Sequence, residues 1–175
     1  MYIVPTITVR YNSELTSLSA AALNLKIQNA LISFETENLG TFTNKFYLYE
    51  MIEKLKAADV SFISVDADLQ LEKRFVPVTN ATSTYQIDFN QPIYQPHTGH
   101  LGSLSSSTFT IGDTSGLALN HDGYNKLRTY TVDIGETNIR NTNIGNIDYD
   151  TGLVSVLNTL ISAYAGDYLS IKMKP

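Results

Sequence analysis

The chain has 175 residues, 43% of them hydrophobic and only 17% charged, with a net charge of −5 and a pI near 5.1. That length allows one good core or two small packed units, and an acidic balance without any basic run argues against non-specific nucleic-acid binding. With no cysteine, disulfide staples, thiolate catalysis and Cys-ligated zinc are excluded as well. No stretch approaches the ~18 apolar residues of a membrane helix. The opening MYIVPTITVR lacks the basic and apolar regions of a signal peptide. A low charge fraction leaves a surface of Ser, Thr, Asn and Tyr, which suits faces that meet other proteins.

Ile7 and Val9 alternate with Thr6, Thr8 and Arg10, a short strand pattern. From Ser13 to Phe34 the period becomes helical: Leu23, Ile27, Leu31 and Phe34 share a stripe, with Ser13 or Thr16 as cap. Gly40 marks the break. Thr43 or Asn44 caps a second helix that ends near Ala58, with Leu48, Ile52 and Leu55 as its apolar row. Ile63 to Phe75 then alternates apolar odd positions with polar even ones from Ser64 to Arg74, the pattern of a long half-buried strand. Pro77 and Thr79-Asn80-Ala81-Thr82 turn the chain. Tyr85, Ile87 and Phe89 are expected to pair back as a hairpin.

Gln91 to Ser107 reads as loop, and Phe109 and Ile111 as a strand. Gly112 to Asn125 is turn-rich, Tyr130, Val132 and Ile134 alternate as a strand, and Gly135 to Asn143 reads as polar loop. The chain ends in a hairpin and a last strand through Leu169, Ile171 and Met173. The expected class is α+β: an N-terminal strand and helix pair followed by a mostly antiparallel β region. Residues 1–75 are expected as a strand-helix-helix-strand unit and 76–175 as a β-rich unit, either separate or packed as one domain.

Few residues invite chemistry. Asp148 and Asp150 flank Tyr149, but Ile147 and Tyr149 would face inward, and Asp150-Thr151-Gly152 spells a turn rather than a Ca²⁺ loop. Asp66 and Asp68 share one strand face, where acid–base chemistry competes with a solvated or partner-facing row. His97 and His100 form H-x-x-H in a loop, with His121 further on, short of an ordered zinc frame. Asn80-Ala81-Thr82 fits a glycosylation triplet that arises often by chance. Phosphate loops, nucleophile elbows and nucleotide fingerprints are absent. The 11 tyrosines fit either interfaces or ordinary sheet positions.

Four stretches go further. They are PTITVRYNSE with ALISFETENLGTFTNKFYLYEMIEKLKAADVSFISVDADLQL, then LEKRFVPVTNATSTYQIDFNQPI, SSSTF, and IGNIDYDTGLVSV. In this order the string resembles the C-terminal part of the baseplate wedge proteins of contractile-tailed bacteriophages, a branch of the baseplate J-like family. Members are usually far longer and carry an N-terminal region absent here, so a fragment or reduced relative is expected.

The resemblance implies a structural virion protein of the tail baseplate, assembled in the host cytoplasm, and not an enzyme. It implies other wedge subunits as partners and a homodimer, with no cofactor, metal, small-molecule substrate, nucleic acid or membrane. The candidate contact residues are Tyr47, Tyr49, Phe46 and Tyr149. Two other classes compete. One is a carbohydrate- or cell-surface-binding β module of a tail fibre or adhesin. The other is a metal-assisted hydrolase built on Asp66, Asp68 and the histidines.

Overall fold

The computed structural model describes residues 1–39, 46–97 and 103–175. The chain divides into two compact units, one of Pro5–Asp68 and one of Met1–Val4 with Leu69–Pro175. The expected break at Gly40, the caps Thr43 and Asn44, and His100 lie outside the described residues. None of the described helices is long and apolar enough to cross a membrane.

The first unit carries most of strand β1 (Tyr2–Tyr11), helices α1 (Ala20–Asn38) and α2 (Leu48–Lys56), and the start of strand β2 (Phe62–Phe75). The chain leaves β1 through a 3-10 turn at Ser13–Leu15, because the Asn12 side chain accepts the Glu14 N–H at 2.9 Å. The sequence placed the helix start at Ser13; Ser19 instead caps α1 by accepting the Ala22 N–H at 3.2 Å. Within α1, Leu23 and Phe34 are buried, and in α2 Met51 and Leu55 are buried. Two ion pairs tie this unit together: Lys26 with Asp59 at 2.7 Å, and Lys54 of α2 with Glu37 of α1. The Lys26 ammonium and the Ser61 N–H and hydroxyl hold the Asp59 carboxyl down at about 2.

The second unit is built on antiparallel pairing. The end of β2 pairs with β11 (Leu169–Met173), and β11 with β4 (Leu104–Ser106). A larger sheet has the order β10-β5-β6-β7-β8-β9-β3. Its strands are β3 (Thr82–Asp88), β5 (Phe109–Ile111), β6 (Thr114–His121), β7 (Lys126–Asp133), β8 (Glu136–Asp148), β9 (Leu153–Leu160) and β10 (Ala163–Tyr164). The described chain is therefore strand-dominated, with helices confined to the first unit. Leu71, Phe89, Leu104, Leu127, Ile147, Val154, Ile171 and Met173 belong to one core cluster, with Ile3 packed against it.

Three sequence expectations change. β3 does not pair back on β2; it pairs with β9, Ile87 opposite Val154, and β2 takes β11 instead. Pro77 and Thr79-Asn80-Ala81-Thr82, read as a hairpin turn, carry the chain to another sheet, and the Phe75 and Tyr85 ring centroids lie 5.1 Å apart. The turn-rich stretch after Gly112 contains β6, whose Leu117 to His121 are all buried. Burial on both faces erases the alternation that marks a half-buried strand. The polar stretch after Gly135 is the first half of β8, paired with β7 through Asp133 and Glu136.

The Asp148–Gly152 turn has the form the sequence implies. Ile147 and Tyr149 are buried and Asp148 is exposed. One Asp148 carboxylate oxygen accepts the N–H groups of Asp150 and Thr151 at 3.0 and 3.2 Å. The Thr151 side chain, followed by these N–H groups, holds its carboxyl below the usual range. Gly152 has φ +78°, and a Cβ there would lie 2.1 Å from the Gln91 carbonyl oxygen. Positive φ and a backbone clash act together, so Gly152→Ala should cost roughly 2–4 kcal/mol; a urea unfolding midpoint equal to wild type would contradict this.

The β7–β8 hairpin closes through Ile134 at φ +52° and Gly135 at φ +81°. Both signs fit a two-residue type I′ turn, yet a β-branched residue is strained there. Ile134 is fully exposed, so no packing offsets that strain within the chain. Ile134→Asn should raise stability by about 1 kcal/mol, read as a higher thermal midpoint of the isolated chain.

Candidate functional site

The aromatic candidates of the first unit cluster at the start of α2. Phe46 meets Phe34 of α1 edge-on at 6.0 Å between ring centroids, so it fastens the two helices. Tyr47 is the N-cap residue of α2 and makes no capping hydrogen bond with its side chain. Its ring lies 5.7 Å from that of Tyr49. The two are 44% and 59% exposed, and together they make an aromatic patch with a polar rim. Tyr49 donates to Glu50 at 3.0 Å, and the Glu50 carboxylate raises its pKa.

Helix α1 adds a second surface that the sequence reading passed over. Its buried stripe turns Leu25 and Ile32, 56% and 60% exposed, to the opposite side. Leu18 before the helix and Leu39 after it continue the same seven-residue spacing and are also exposed. An apolar residue every seven positions draws a seam along one side of a helix, and its regular spacing was the signal available in the sequence.

Tyr149 does not join these residues. It is 8% exposed, inside the core of the second unit. Its strand parity with Ile147 sends the ring inward, which corrects its grouping with the surface tyrosines. Burial pushes its hydroxyl up to about 12, and among the described residues that hydroxyl has no hydrogen-bond partner.

The carboxylates and histidines are dispersed. Asp66 and Asp68 are exposed on β2, and His97 is exposed in the loop after β3. Among the described residues no three His, Asp or Glu side chains gather as a metal set. His121 is fully buried. Its Nδ1 accepts the Gly123 N–H at 3.0 Å, which leaves the proton on Nε2, donated to the Ser103 hydroxyl at 3.0 Å. The ring stands edge-on to Tyr149 at 6.3 Å. This is a structural pin between the β6 end and the loop before β4.

Burial, reinforced by the Arg128 guanidinium and opposed by Asp122, lowers the His121 pKa from 6.5. The unfolded chain therefore takes up this proton first. The stability contributed by neutral His121 is complete above about pH 6.5 and declines as pH falls below it. His121→Asn should flatten the pH dependence of the urea midpoint between the acid side of 6.5 and the carboxylate range. An unchanged slope there would remove His121 as its source.

The comparisons with known proteins bear on the first unit. Residues 1–74 match the model of a family described as baseplate structural protein gp6, C-terminal domain III. No curated protein matches the chain. The matched residues include all of Pro5–Asp68, hence both helices and the aromatic patch. This similarity supports a structural protein of a phage baseplate, a virion setting, and contacts with other baseplate subunits. A family of structural domains points to a non-enzymatic role.

Proposed function

We propose that this chain is a wedge component of a contractile-tail baseplate that holds neighbouring subunits together through protein–protein contacts. The observation that carries the reading is the match of residues 1–74 to a baseplate structural domain, combined with the bare aromatic and apolar surfaces of the same segment. The resemblance of the later stretches, including IGNIDYDTGLVSV, to the baseplate J-like family supports the wedge assignment. Partners are other wedge subunits and a second copy of the chain, brought together in the host cytoplasm before the virion is complete.

The physical basis is the pairing of large, weakly charged surfaces. Tyr47 and Tyr49 provide wide contact area at low conformational cost and keep polar tips for the rim. Leu25 and Ile32 supply an apolar seam whose burial stabilises a complex by about 1.5–3 kcal/mol per side chain when complete. Contiguous exposure of such residues marks contact sites more often than chance surface apolarity does.

The test is binding of the purified chain to the neighbouring subunits of the same baseplate. The double substitution Tyr47→Ala with Tyr49→Ala should weaken association at least tenfold, about 1.4 kcal/mol or more, with an unchanged circular dichroism spectrum. Wild-type affinity in that variant would reject the α2 surface as the contact.

A further inference from the structure

The geometry points to a contact between two copies of this chain in which the Glu136–Arg140 segments of β8 pair antiparallel, edge to edge. It deepens the assembly reading by giving the second copy a surface, and that surface lies outside the residues similar to the baseplate domain.

Among the described residues the edge is open on one side. β7 holds the inner side of β8 from Glu136 onward, whereas β9 pairs with β8 only at Gly145–Asp148. Tyr130 faces Ile139 while Thr129 faces Asn141, so Arg140 is the extra residue of a bulge, where regular pairing ends. The regular free edge is thus five residues long and centred on Asn138. It contains no lysine and no proline, the residues that commonly block such edges.

Parity sets which groups point outward. Asp133 and Glu136 close the two-residue turn, and the closing pair bonds across the hairpin. Glu136 and Asn138 therefore address β7, and Thr137 and Ile139 turn their N–H and C=O groups to the open side. Two copies related by a two-fold axis through Asn138 place Thr137 of one opposite Ile139 of the other, where both pairs of groups meet.

The same register sets Glu136 of each copy opposite Arg140 of the other. Two cross-copy opposite-charge pairs result, a favourable arrangement directly across an antiparallel ladder. Arg140 is held ready for this: its Nε donates to the Thr131 hydroxyl and its Nη2 to Asp133, each at 2.9 Å. These bonds use two of the five guanidinium donors. Moving the register by one step in either direction, which must be two residues to keep the faces matched, removes both charge pairs. An unrelated strand would have to supply the same spacing of charges; a second copy supplies it by symmetry.

Five paired residues a side fall short of the ~800 Å² per partner of a standard interface, so the dimer is expected to be concentration-dependent. Sedimentation velocity of the whole chain, from about micromolar to about millimolar concentration, should show the mass rising from 19.4 kDa towards twice that value. Thr137→Pro removes an outward N–H without touching the β7 ladder, and Glu136→Lys sets like charges opposite Arg140. Each should raise the dimer dissociation constant about tenfold or more.

Since the chain has no cysteine, Asn138→Cys reports on the axis alone. The non-hydrogen-bonded pair it forms has Cα atoms ~4.5 Å apart, within disulfide reach, so oxidation should yield a covalent dimer. A chain that stays monomeric throughout the range overturns the proposal. So does a dimer that Thr137→Pro and Glu136→Lys leave unchanged and Asn138→Cys fails to cross-link. Neither result touches the α2 surface, whose own test uses neighbouring subunits.

Discussion

Much of the second unit depends on the close approach at Gly152. Its amide donates to the Asp148 carbonyl at 2.9 Å, and its carbonyl accepts the Phe89 N–H at 3.0 Å. The first bond closes the β8–β9 turn. The second fastens to it the chain leaving β3, so one residue without a side chain joins three consecutive strands of the sheet. Ile93 donates to the Tyr149 carbonyl at 2.9 Å, continuing the same seam. Phe89, Val154 and Ile147 fill the space behind it as buried core residues. Backbone groups buried at such a junction need partners, and here the turn and the loop satisfy each other. Asp148 contributes geometry in this setting: its carboxylate is occupied by the turn's own N–H groups.

The distal β7–β8 hairpin has its polarity reversed relative to that junction. Thr131, Asp133, Asn138 and Arg140 are linked on one face by hydrogen bonds and an ion pair. Val132 and Ile139 occupy the other face, and they and Ile134 at the turn are exposed. Cross-strand partners share a face, so the apolar side chains lie together. A hairpin that folded only for its own chain would turn that face to the core. The network stiffens the ribbon in the opposite sense and presents Ile134 in a backbone region that disfavours it. Local strain that no internal contact relieves is expected where a surface serves something outside the chain.

Legibility followed burial. β2 could be read almost to its ends, Ile63 to Phe75 against Phe62–Phe75, because it alternates. The Asp150-to-Gly152 turn could be read because its residues carry the conformation themselves. β6 could not, since burial of Ala118 and Asn120 as well as Leu117, Leu119 and His121 leaves no period. The first half of β8 could not, since nearly every residue there is polar. Pairing was least legible: turn residues after Pro77 specify that the chain bends and do not specify which strand it meets. At the candidate site Tyr47 and Tyr49 were singled out in the sequence as aromatic residues beside the apolar row of α2, and both are exposed. Tyr149 was misplaced among them because tyrosine alone does not distinguish a core ring from a rim ring.

The composition of the first unit ties stability to assembly. A segment the size of Pro5–Asp68 buries a smaller fraction of its surface than a larger domain does. Its buried apolar side chains include Leu23, Phe34, Met51, Leu55, Phe62 and Val65, while Leu18, Leu25, Ile32, Leu39, Tyr47, Tyr49, Val60 and Ile63 are exposed. Among the described residues of this unit, more large apolar groups face outward than inward. A core this lean leaves much of the apolar surface to be covered by something else, and whatever covers it adds to the stability of the fold by mass action. The low charge content and the tyrosine-rich rim then have one physical reading. Few charges stand on the surface to be desolvated, and the tyrosine hydroxyls leave polar tips at its rim.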